Sequence, residues 1–232
     1  MVIAEAMPPP CFQVKATGGA SAGGPTRVLF VCLGNICRSP SAEAVMQHVV
    51  EKRGLAAQYV IDSCGTGGGS DDWYMDGGFS YHVGDPADPR MRAAAEERGI
   101  TLRSRSRPLK VRNVSMGGRP SHRGWSSGAQ GRHRCGPLPL QPSDLGEFDH
   151  ILAMDPSNIA AIHEAADHWR AQGKLGVPRR EELSLKVRLI TDYSTKHRGK
   201  PIPDPYYGGR RGFEEVLDLL TDTCDELVQA LS

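Results

Sequence analysis

Four short apolar runs alternate along the chain with longer segments whose apolar residues recur every three to four positions. The runs cover residues 27–32, 59–64, 150–154 and 187–193. Apolar runs of this length, bounded by glycine, proline and polar residues, are typical of buried strands. The first run ends at a cysteine, so the pattern predicts that Cys32 lies at the end of the first strand.

The segments with helical spacing cover residues 40–54, 88–99, 155–172 and 213–231. Ser39 and Pro40 are typical of a helix start, with Ser39 as the N-cap, and Gly54 and Gly99 are typical of helix ends. Short strands that alternate with helices predict βαβ units, and hence a single α/β domain with a parallel sheet. Ligands bind such sheets beyond the carboxyl ends of the strands, where the loops after the four runs should converge.

The composition excludes several classes of function. The chain has 232 residues and a net charge of +1, so no basic field predicts nucleic acid binding. No apolar run approaches the roughly 18 residues that indicate a membrane-spanning helix, and we expect no membrane contact. The six cysteines are scattered without a Cys-x2-Cys pair, which favours a reducing compartment with free thiols. No Cys/His set has zinc spacing, so we expect neither a metal nor another cofactor.

Residues 1–26 are rich in proline, glycine and alanine and contain no apolar core of a signal peptide. They predict a disordered tail before a domain that spans residues 27–232. The expected location is the cytoplasm. The alternative is a plastid or mitochondrial transit peptide, which is weakened by the acidic Glu5 and by the absence of arginine before Arg27.

The stretch "VCLGNICRSP", residues 31–40, combines Cys32 with an arginine six positions later. A loop of this length between a strand and a helix can turn its amide N–H groups inward around an anion, and the helix start adds its positive dipole. Arg38 can donate two hydrogen bonds to a tetrahedral anion. Gly34 permits close backbone approach, and Asn35 tolerates the left-handed conformation. Such surroundings would stabilise the Cys32 thiolate, a nucleophile for phosphorus, whereas the alternative is a small buried structural cysteine.

A second signature, "DPYYGG", follows the fourth apolar run at residues 204–209. Pro203 and Pro205 restrict the backbone on both sides of Asp204, which could be held above the anion site to protonate a leaving alcohol. Tyr206 and Tyr207 could form the wall of an aromatic slot. The alternative for this motif is a turn with surface tyrosines.

The two motifs together, "VLFVCLGNICRSPSAEAV" and "DPYYGG", resemble the low-molecular-weight protein tyrosine phosphatases, and the resemblance runs from Arg27 to the C-terminus. It implies a four-stranded parallel sheet with helices on both faces. It also implies a metal-independent, monomeric enzyme that hydrolyses phosphotyrosine in proteins and small aryl phosphates through a phosphocysteine intermediate. The residues that the resemblance places around the phosphate are Leu33, Gly34, Asn35, Ile36, Cys37, Arg38 and Ser39.

The resemblance also implies a role for individual side chains. Cys32 is the nucleophile, and Arg38 binds the phosphate and stabilises the transition state. Ser39 donates a hydrogen bond to the sulfur, while Asn35 and Ser63 support the shape of the loop.

The same resemblance makes Asp204 the acid of the first step and the base of the second. Tyr206 and Tyr207 line the aryl slot. Cys37 is the partner that forms a reversible disulfide with an oxidised Cys32. Asp155, at the start of "DPSN", is interpreted as a helix cap rather than as a catalytic residue.

Three other functions remain open at this stage. An arsenate reductase of the same fold needs resolving cysteines, and Cys64 and Cys224 are not obviously placed for that role. Protein-arginine phosphatases tend to have threonine where Ile36 stands. A non-catalytic phosphotyrosine-binding module would not need Cys32, Arg38 and Asp204 together.

Residues 111–141 fit nothing in the family pattern. The stretch is rich in glycine and contains five arginines but no lysine or acidic residue. Its few apolar residues have no period, so it predicts a disordered insertion. Its ends are compatible with splice sites, and we interpret it as a retained intron rather than a regulatory insertion. We expect it to leave the domain at the sheet edge opposite the phosphate loop.

Overall fold

A computed structural model of the chain describes residues 24–103 and 139–232. Its sheet contains four strands, β1 (Thr26–Cys32), β2 (Tyr59–Gly65), β3 (His150–Ala153) and β4 (Val187–Leu189). The strands are all parallel and lie in the order β2-β1-β3-β4. This confirms the predicted α/β fold and places the carboxyl ends of the strands at one edge.

Six α-helices cover the sheet within the described residues. They are α1 (Arg38–Lys52), α2 (Pro89–Glu96), α3 (Pro142–Glu147), α4 (Pro156–Ala171), α5 (Arg180–Lys186) and α6 (Arg210–Leu231). Residues of α1, α2 and α6 form one hydrophobic cluster, and residues of α3, α4 and α5 form a second. The central strand β1 contributes Val28 and Phe30 to the first cluster and Leu29 and Val31 to the second. Its side chains alternate between the two faces, so both faces of the sheet are covered.

Some predicted boundaries are wrong. The strand predicted at 187–193 ends at Leu189, because Ile190–Tyr193 forms a 3-10 turn. The helices α3 and α5 were not predicted, since each has fewer than eight residues and shows no helical period. Gly54 and Gly99 end their helical segments as expected, with φ angles of 70° and 72° that favour glycine.

The predicted tail and most of the predicted insertion lie outside the described residues. Thr26, assigned to the tail, is the first residue of β1. Residues 139–141, assigned to the insertion, belong to the fold. Pro139 forms a parallel bridge with Gly65, and the buried Leu140 donates its N–H to the Gly65 carbonyl at 2.9 Å. The insertion boundary at residue 141 is therefore wrong.

The expected edge is also wrong at the C-terminal end of the insertion, the end that the structure describes. Gly65 ends β2 and pairs in register with Cys32, so Pro139 enters at the edge of the sheet where β1 also ends. The chain then crosses to the amino end of β3 through α3, which the sequence pattern did not reveal. The chain therefore returns from the insertion at Pro139, at the edge of the sheet where the phosphate loop begins.

A deletion of residues 111–141 should preserve the fold. The deletion joins Lys110 to Pro142, so that Pro108-Leu109-Lys110 replaces the similar Pro139-Leu140-Gln141. We expect Leu109→Ala in this deletion form to lower the free energy of unfolding by about 2–5 kcal/mol, as loss of a buried leucine does. Leu140→Ala in the full chain should cost the same amount, measured by denaturant unfolding.

A deletion form that does not fold, or one in which Leu109→Ala has no effect on stability, would contradict this prediction. Sequencing of the transcripts tests the intron hypothesis itself. That hypothesis requires a shorter transcript that lacks the codons for residues 111–141.

Candidate active site

Cys32 is the last residue of β1 and lies at the base of the phosphate loop, which we define as residues 32–39. Its side chain is buried. The sulfur accepts hydrogen bonds from the Asn35 N–H at 3.2 Å and from the Ser39 hydroxyl at 3.0 Å. Two hydrogen-bond donors from the phosphate loop therefore point at this one sulfur.

Asn35 fixes the shape of the phosphate loop. Its φ of 53° is the one positive φ outside glycine in the part of the chain that the structure describes. The Asn35 side-chain amide donates to the Ser39 hydroxyl at 2.8 Å and to the Ser63 hydroxyl at 2.9 Å. The structure thus brings together all three residues predicted to support the loop. It adds Glu43, which accepts a hydrogen bond of 2.6 Å from Ser63 and which the sequence analysis missed.

The helix after the loop begins earlier than predicted. Arg38 is the first residue of α1, and Cys37 is the N-cap without a side-chain hydrogen bond. The predicted capping role of Ser39 is wrong, because its hydroxyl lies 3.0 Å from the Cys32 sulfur and 3.1 Å from the Cys64 carbonyl. The positive end of the α1 dipole therefore faces the phosphate loop, as an anion site requires.

The Arg38 guanidinium joins three loops at this edge of the sheet. Nη1 donates to the Asp155 carboxylate at 2.6 Å and to the Ile202 carbonyl at 3.3 Å. Nη2 donates to the Asp204 carboxylate at 2.9 Å. Burial alone would lower the pKa of Arg38, but the Cys32 sulfur and the two carboxylates outweigh burial, and its pKa lies above the ordinary value.

Asp155 has two roles, of which the sequence indicated one. Its Oδ1 accepts from the Asn158 N–H at 2.9 Å and caps α4, as expected. Its Oδ2 binds Arg38, which the sequence analysis missed. The available signal was its position after β3, at the edge where Cys32 lies. Burial alone would raise the pKa of Asp155, but hydrogen bonds from Ser157, the Asn158 N–H and Arg38 hold it below its usual value.

Asp204 lies at the mouth of the site, in the acid loop, residues 203–208. Its side chain is 37% exposed, against 5% for the Arg38 side chain to which it is bound. Its second oxygen accepts the Tyr206 N–H at 3.1 Å. The Tyr206 and Tyr207 rings pack edge to face with centroids 5.0 Å apart, and both are exposed. The acid loop therefore offers a carboxylate and an aromatic wall to the same space.

The wall on the other side comes from the front loop, residues 66–85. Trp73 is buried against Trp169, so this tryptophan belongs to the core. The His82 ring lies beside Gly34 of the phosphate loop. If Gly34 had a Cβ atom, that atom would lie 2.9 Å from the His82 Cδ2. The neighbouring Tyr81 is 61% exposed. The front loop thus places Tyr81 and His82 beside the phosphate loop.

The remaining thiols near the site have different surroundings. Cys37 is buried, and burial, the Cys32 sulfur and the Asp88 and Asp204 carboxylates raise its pKa. The proposed disulfide between Cys37 and Cys32 stays a prediction. The Cys64 side chain packs on the opposite face of the sheet from Cys32. Within residues 24–103 and 139–232, no group of three or more His, Cys, Asp or Glu side chains could hold a metal ion.

Comparison with known proteins gives the family. The sequence profile described as low molecular weight phosphotyrosine protein phosphatase matches residues 27–116 and 133–232. The chain belongs to this family. A low molecular weight phosphotyrosine protein phosphatase of Schizosaccharomyces pombe is 33% identical and covers 89% of this chain and 97% of its own.

Two further comparisons agree with this assignment. A low molecular weight protein-tyrosine-phosphatase of Streptomyces coelicolor is 33% identical over 88% of this chain and 93% of its own. A crystal structure of a protein tyrosine phosphatase from Entamoeba histolytica, with Hepes in the active site, matches with a TM-score of 0.62 and 32% identity. That match covers 89% of this chain and 96% of the other, so this low molecular weight phosphatase corresponds to nearly the whole of each relative.

The family match also bears on the predicted insertion. The profile leaves residues 117–132 unmatched, a shorter stretch than the predicted 111–141. The matched part resumes before Pro139, which agrees with the place of residues 139–141 in the fold of this phosphatase.

The double role of Asp155 generates a stability prediction. Asp155→Asn should keep the cap but lose the charged bond to Arg38, so the free energy of unfolding at neutral pH should fall by about 1.5–3 kcal/mol. Asp155→Ala should lose about 0.5–2 kcal/mol more, because the cap is also removed. Urea unfolding of the three proteins measures both differences.

The same substitution has a predicted pH dependence. Because the pKa of Asp155 is lowered in the folded protein, its stabilisation is complete above the unfolded value of about 3.9 and is lost as pH falls through the folded pKa. The stabilities of the wild type and Asp155→Asn should therefore converge in acid. A difference that stays constant down to about pH 3 would contradict the assignment.

Proposed function

We propose that the phosphatase hydrolyses phosphotyrosine in protein substrates, and small aryl phosphates, through a phosphocysteine on Cys32. The observation that carries this proposal is the placement of the Cys32 sulfur, with two hydrogen-bond donors, below a buried arginine that also binds Asp204. A nucleophile, an anion-binding group and a proton donor thus occupy one site. Their order along the chain is the order found in the family motifs.

Substrate binding should begin with an exchange of anions at Arg38. The bond to Asp155 is the more buried of its two carboxylate contacts, and the bond to Asp204 is at the open mouth. A phosphate dianion entering the loop would take the place of the Asp204 carboxylate at Nη2. It would also meet the amide N–H groups of residues 33–37 and the start of α1. The exchange would leave Asp204 next to the ester oxygen of the substrate.

In the first chemical step the Cys32 thiolate attacks phosphorus. A sulfur–phosphorus bond forms and the bond from phosphorus to the phenolic oxygen breaks. Asp204, which takes up a proton from solvent when phosphate replaces it at Arg38, gives that proton to the phenolic oxygen. Tyrosine leaves, and the phosphoryl group stays on Cys32. Arg38 donates to the equatorial oxygens, where charge spreads in the transition state.

In the second step Asp204 takes a proton from water, and the resulting hydroxide attacks phosphorus. The sulfur–phosphorus bond breaks, phosphate is released and Cys32 returns as the thiolate. The Ser39 hydroxyl and the Asn35 N–H donate to the departing sulfur, which lowers the energy of its negative charge. Asn35 holds the Ser39 oxygen in place throughout.

The depth of the site supports phosphotyrosine over shorter phosphoesters. Cys32 is 3% exposed, whereas Tyr206 of the acid loop and Tyr81 of the front loop are exposed. A phenyl ring is long and flat enough to carry phosphate to the sulfur while its faces contact those rings. The phosphorylated side chains of serine and threonine are shorter. The expected substrates are therefore phosphotyrosyl proteins. From the family resemblance alone, we further propose that the enzyme acts as a cytoplasmic monomer.

The other candidate functions find less support. A thiol relay of the arsenate reductase kind needs cysteines near Cys32. Cys64 packs on the opposite sheet face. The Cys224 thiol is buried in α6 and donates to the Ala42 carbonyl of α1 at 3.7 Å. Ile36 stands where arginine phosphatases tend to have threonine. A silent binding module would have no use for the Asp204 carboxylate bound to Arg38.

Loss of the nucleophile should abolish turnover, and loss of the forked cation should slow it strongly. Cys32→Ser should leave no measurable hydrolysis of p-nitrophenyl phosphate in the presence of a chelator. Arg38→Lys should lower kcat/KM by on the order of 10²–10³-fold, because lysine cannot donate two parallel bonds to the transferring group. Near-normal kcat/KM in Arg38→Lys would contradict the proposed geometry.

The role of Asp204 predicts a dependence on the leaving group. Asp204→Asn should slow phosphotyrosine hydrolysis by roughly 10²–10⁴-fold, the range of general acid catalysis. The loss should be much smaller for p-nitrophenyl phosphate, whose leaving group departs without a proton. Steady-state kcat/KM on both substrates reports only the steps up to formation of the phosphocysteine and so measures this difference. Equal losses would exclude Asp204 as the acid.

A further inference from the structure

Arg90, in the first turn of α2, connects the phosphate loop with the acid loop. Its guanidinium donates to both oxygens of the Asp88 carboxylate, at 3.0 and 2.8 Å. Its Nη2 also donates to the Tyr206 carbonyl at 3.1 Å. One side chain thus joins a residue next to the phosphate loop to the residue two positions after Asp204. The sequence analysis assigned no role to Arg90 or to Asp88.

The Asp88 end of this connection is fixed to the phosphate loop. The Asp88 N–H donates to the Ile36 carbonyl at 2.7 Å. The Asp88 carboxylate is nearly buried and caps α2 by accepting the Arg90 N–H at 2.8 Å. Hydrogen bonds from Arg90 lower the pKa of Asp88 despite its burial, so it stays charged and keeps its bidentate bond. This end of the connection cannot move without disturbing the phosphate loop.

The other end is fixed to the acid loop and to α6. The guanidinium carbon of Arg90 lies 5.5 Å from the centre of the Tyr206 ring and 4.8 Å from the centre of the Phe213 ring. Cation–π contacts of this geometry hold the ring orientation as well as the guanidinium. The Tyr206 N–H in turn donates to the free oxygen of Asp204. Arg90 therefore acts on the Asp204 carboxylate through one residue.

This connection matters most once substrate is bound. In the described part of the chain, the Asp204 carboxylate has two hydrogen-bond donors, the Arg38 guanidinium and the Tyr206 N–H. Phosphate would replace the Asp204 carboxylate at Arg38. The position of Asp204 in the reactive complex would then depend on its hydrogen bond from the Tyr206 N–H. The Tyr206 carbonyl is bound by Arg90, whose other bonds lead back to the phosphate loop.

We propose that Arg90 is a positioning residue that sets the distance between the Asp204 carboxylate and the phosphorylated Cys32 site by tying the acid loop to Asp88. This role rests on the proposed function. It concerns only the steps in which Asp204 transfers a proton. Proton transfer is sensitive to displacements of an ångström, which a loop held only by Asp204 itself would readily make.

The test compares substrates that do and do not need the acid. Arg90→Ala should lower kcat/KM, which reports the steps up to formation of the phosphocysteine, by about 10–100-fold on phosphotyrosine and by less than about threefold on p-nitrophenyl phosphate. Arg90→Met keeps an apolar stem over Phe213 and should show the same pattern if Arg90→Ala folds poorly. Arg90→Lys should recover part of kcat/KM on phosphotyrosine, because it keeps the charge without the fork.

The matched control is Arg98→Ala. Arg98 follows α2 and makes the same kind of link, to the Asp218 carboxylate at 2.6 Å and to the Glu214 carbonyl at 3.0 Å, but leads to α6 instead of the acid loop. It should affect stability without a dependence of kcat/KM on the leaving group. Combining Arg90→Ala with Asp204→Asn should cost less than about threefold beyond Asp204→Asn alone, because both remove one function.

Each outcome decides the assignment. Equal losses on both substrates, full additivity with Asp204→Asn, or the same pattern in Arg98→Ala would overturn the role of Arg90. These results would leave the proposed function intact, since the wild type and Cys32→Ser test that function separately. A wild type without aryl phosphatase activity would overturn both together.

Discussion

The ion pairs of Arg38 are the constraint on which the site depends. Burial of a guanidinium costs folding free energy unless its N–H groups donate to oxygen atoms. The Arg38 guanidinium donates to carboxylates from the loops after β3 and β4. Those loops lie 117 and 166 residues away along the chain. The pairing therefore draws three strand ends into one cluster, and the parallel sheet makes this possible because all three strands end at the same edge.

The two carboxylates differ in a way that suits catalysis. Asp155 is tied down by the cap of α4, so it holds Arg38 in position whether or not substrate is bound. Asp204 lies on an exposed loop and can give way to phosphate. The hydrogen bonds of the Asn35 side chain hold the remaining part of the site. Its amide donates to the Ser39 hydroxyl, which is thereby oriented toward the Cys32 sulfur, and to the Ser63 hydroxyl, which is itself bound to Glu43. A preorganised site of this kind needs little rearrangement in the transition state.

Much of this arrangement could be predicted from local patterns. The apolar runs indicated four strands, and the order of strands and loops placed Cys32 and the loop of Asp204 at one edge. The role of Ser63 was implied only by the resemblance to the family. The missed contacts have a physical reason. The bond of Asp155 to Arg38 and the bonds of Arg90 join distant loops. The cap of α4 is a sufficient local explanation for Asp155, so the sequence analysis did not infer a second partner from its position after β3.

The errors at boundaries have similar causes. Ser39 has the residue type and position of an N-cap, but its hydroxyl donates to the Cys32 sulfur instead. Residues 139–141 continue an aperiodic stretch of sequence, but Leu140 is buried and its N–H donates to the Gly65 carbonyl. In both places a tertiary contact decides the structure.

The central claim is that the reaction passes through a phosphoryl group on Cys32, and trapping that intermediate tests it most directly. Asp204→Asn lacks the base that activates water, so it should accumulate phosphoenzyme during rapid mixing with p-nitrophenyl phosphate. We predict a burst of nitrophenol equal to the enzyme concentration and, after acid quench and digestion, one phosphoryl group on the peptide that contains Cys32. Turnover without a burst, or a phosphoryl group found on another residue, would contradict the account.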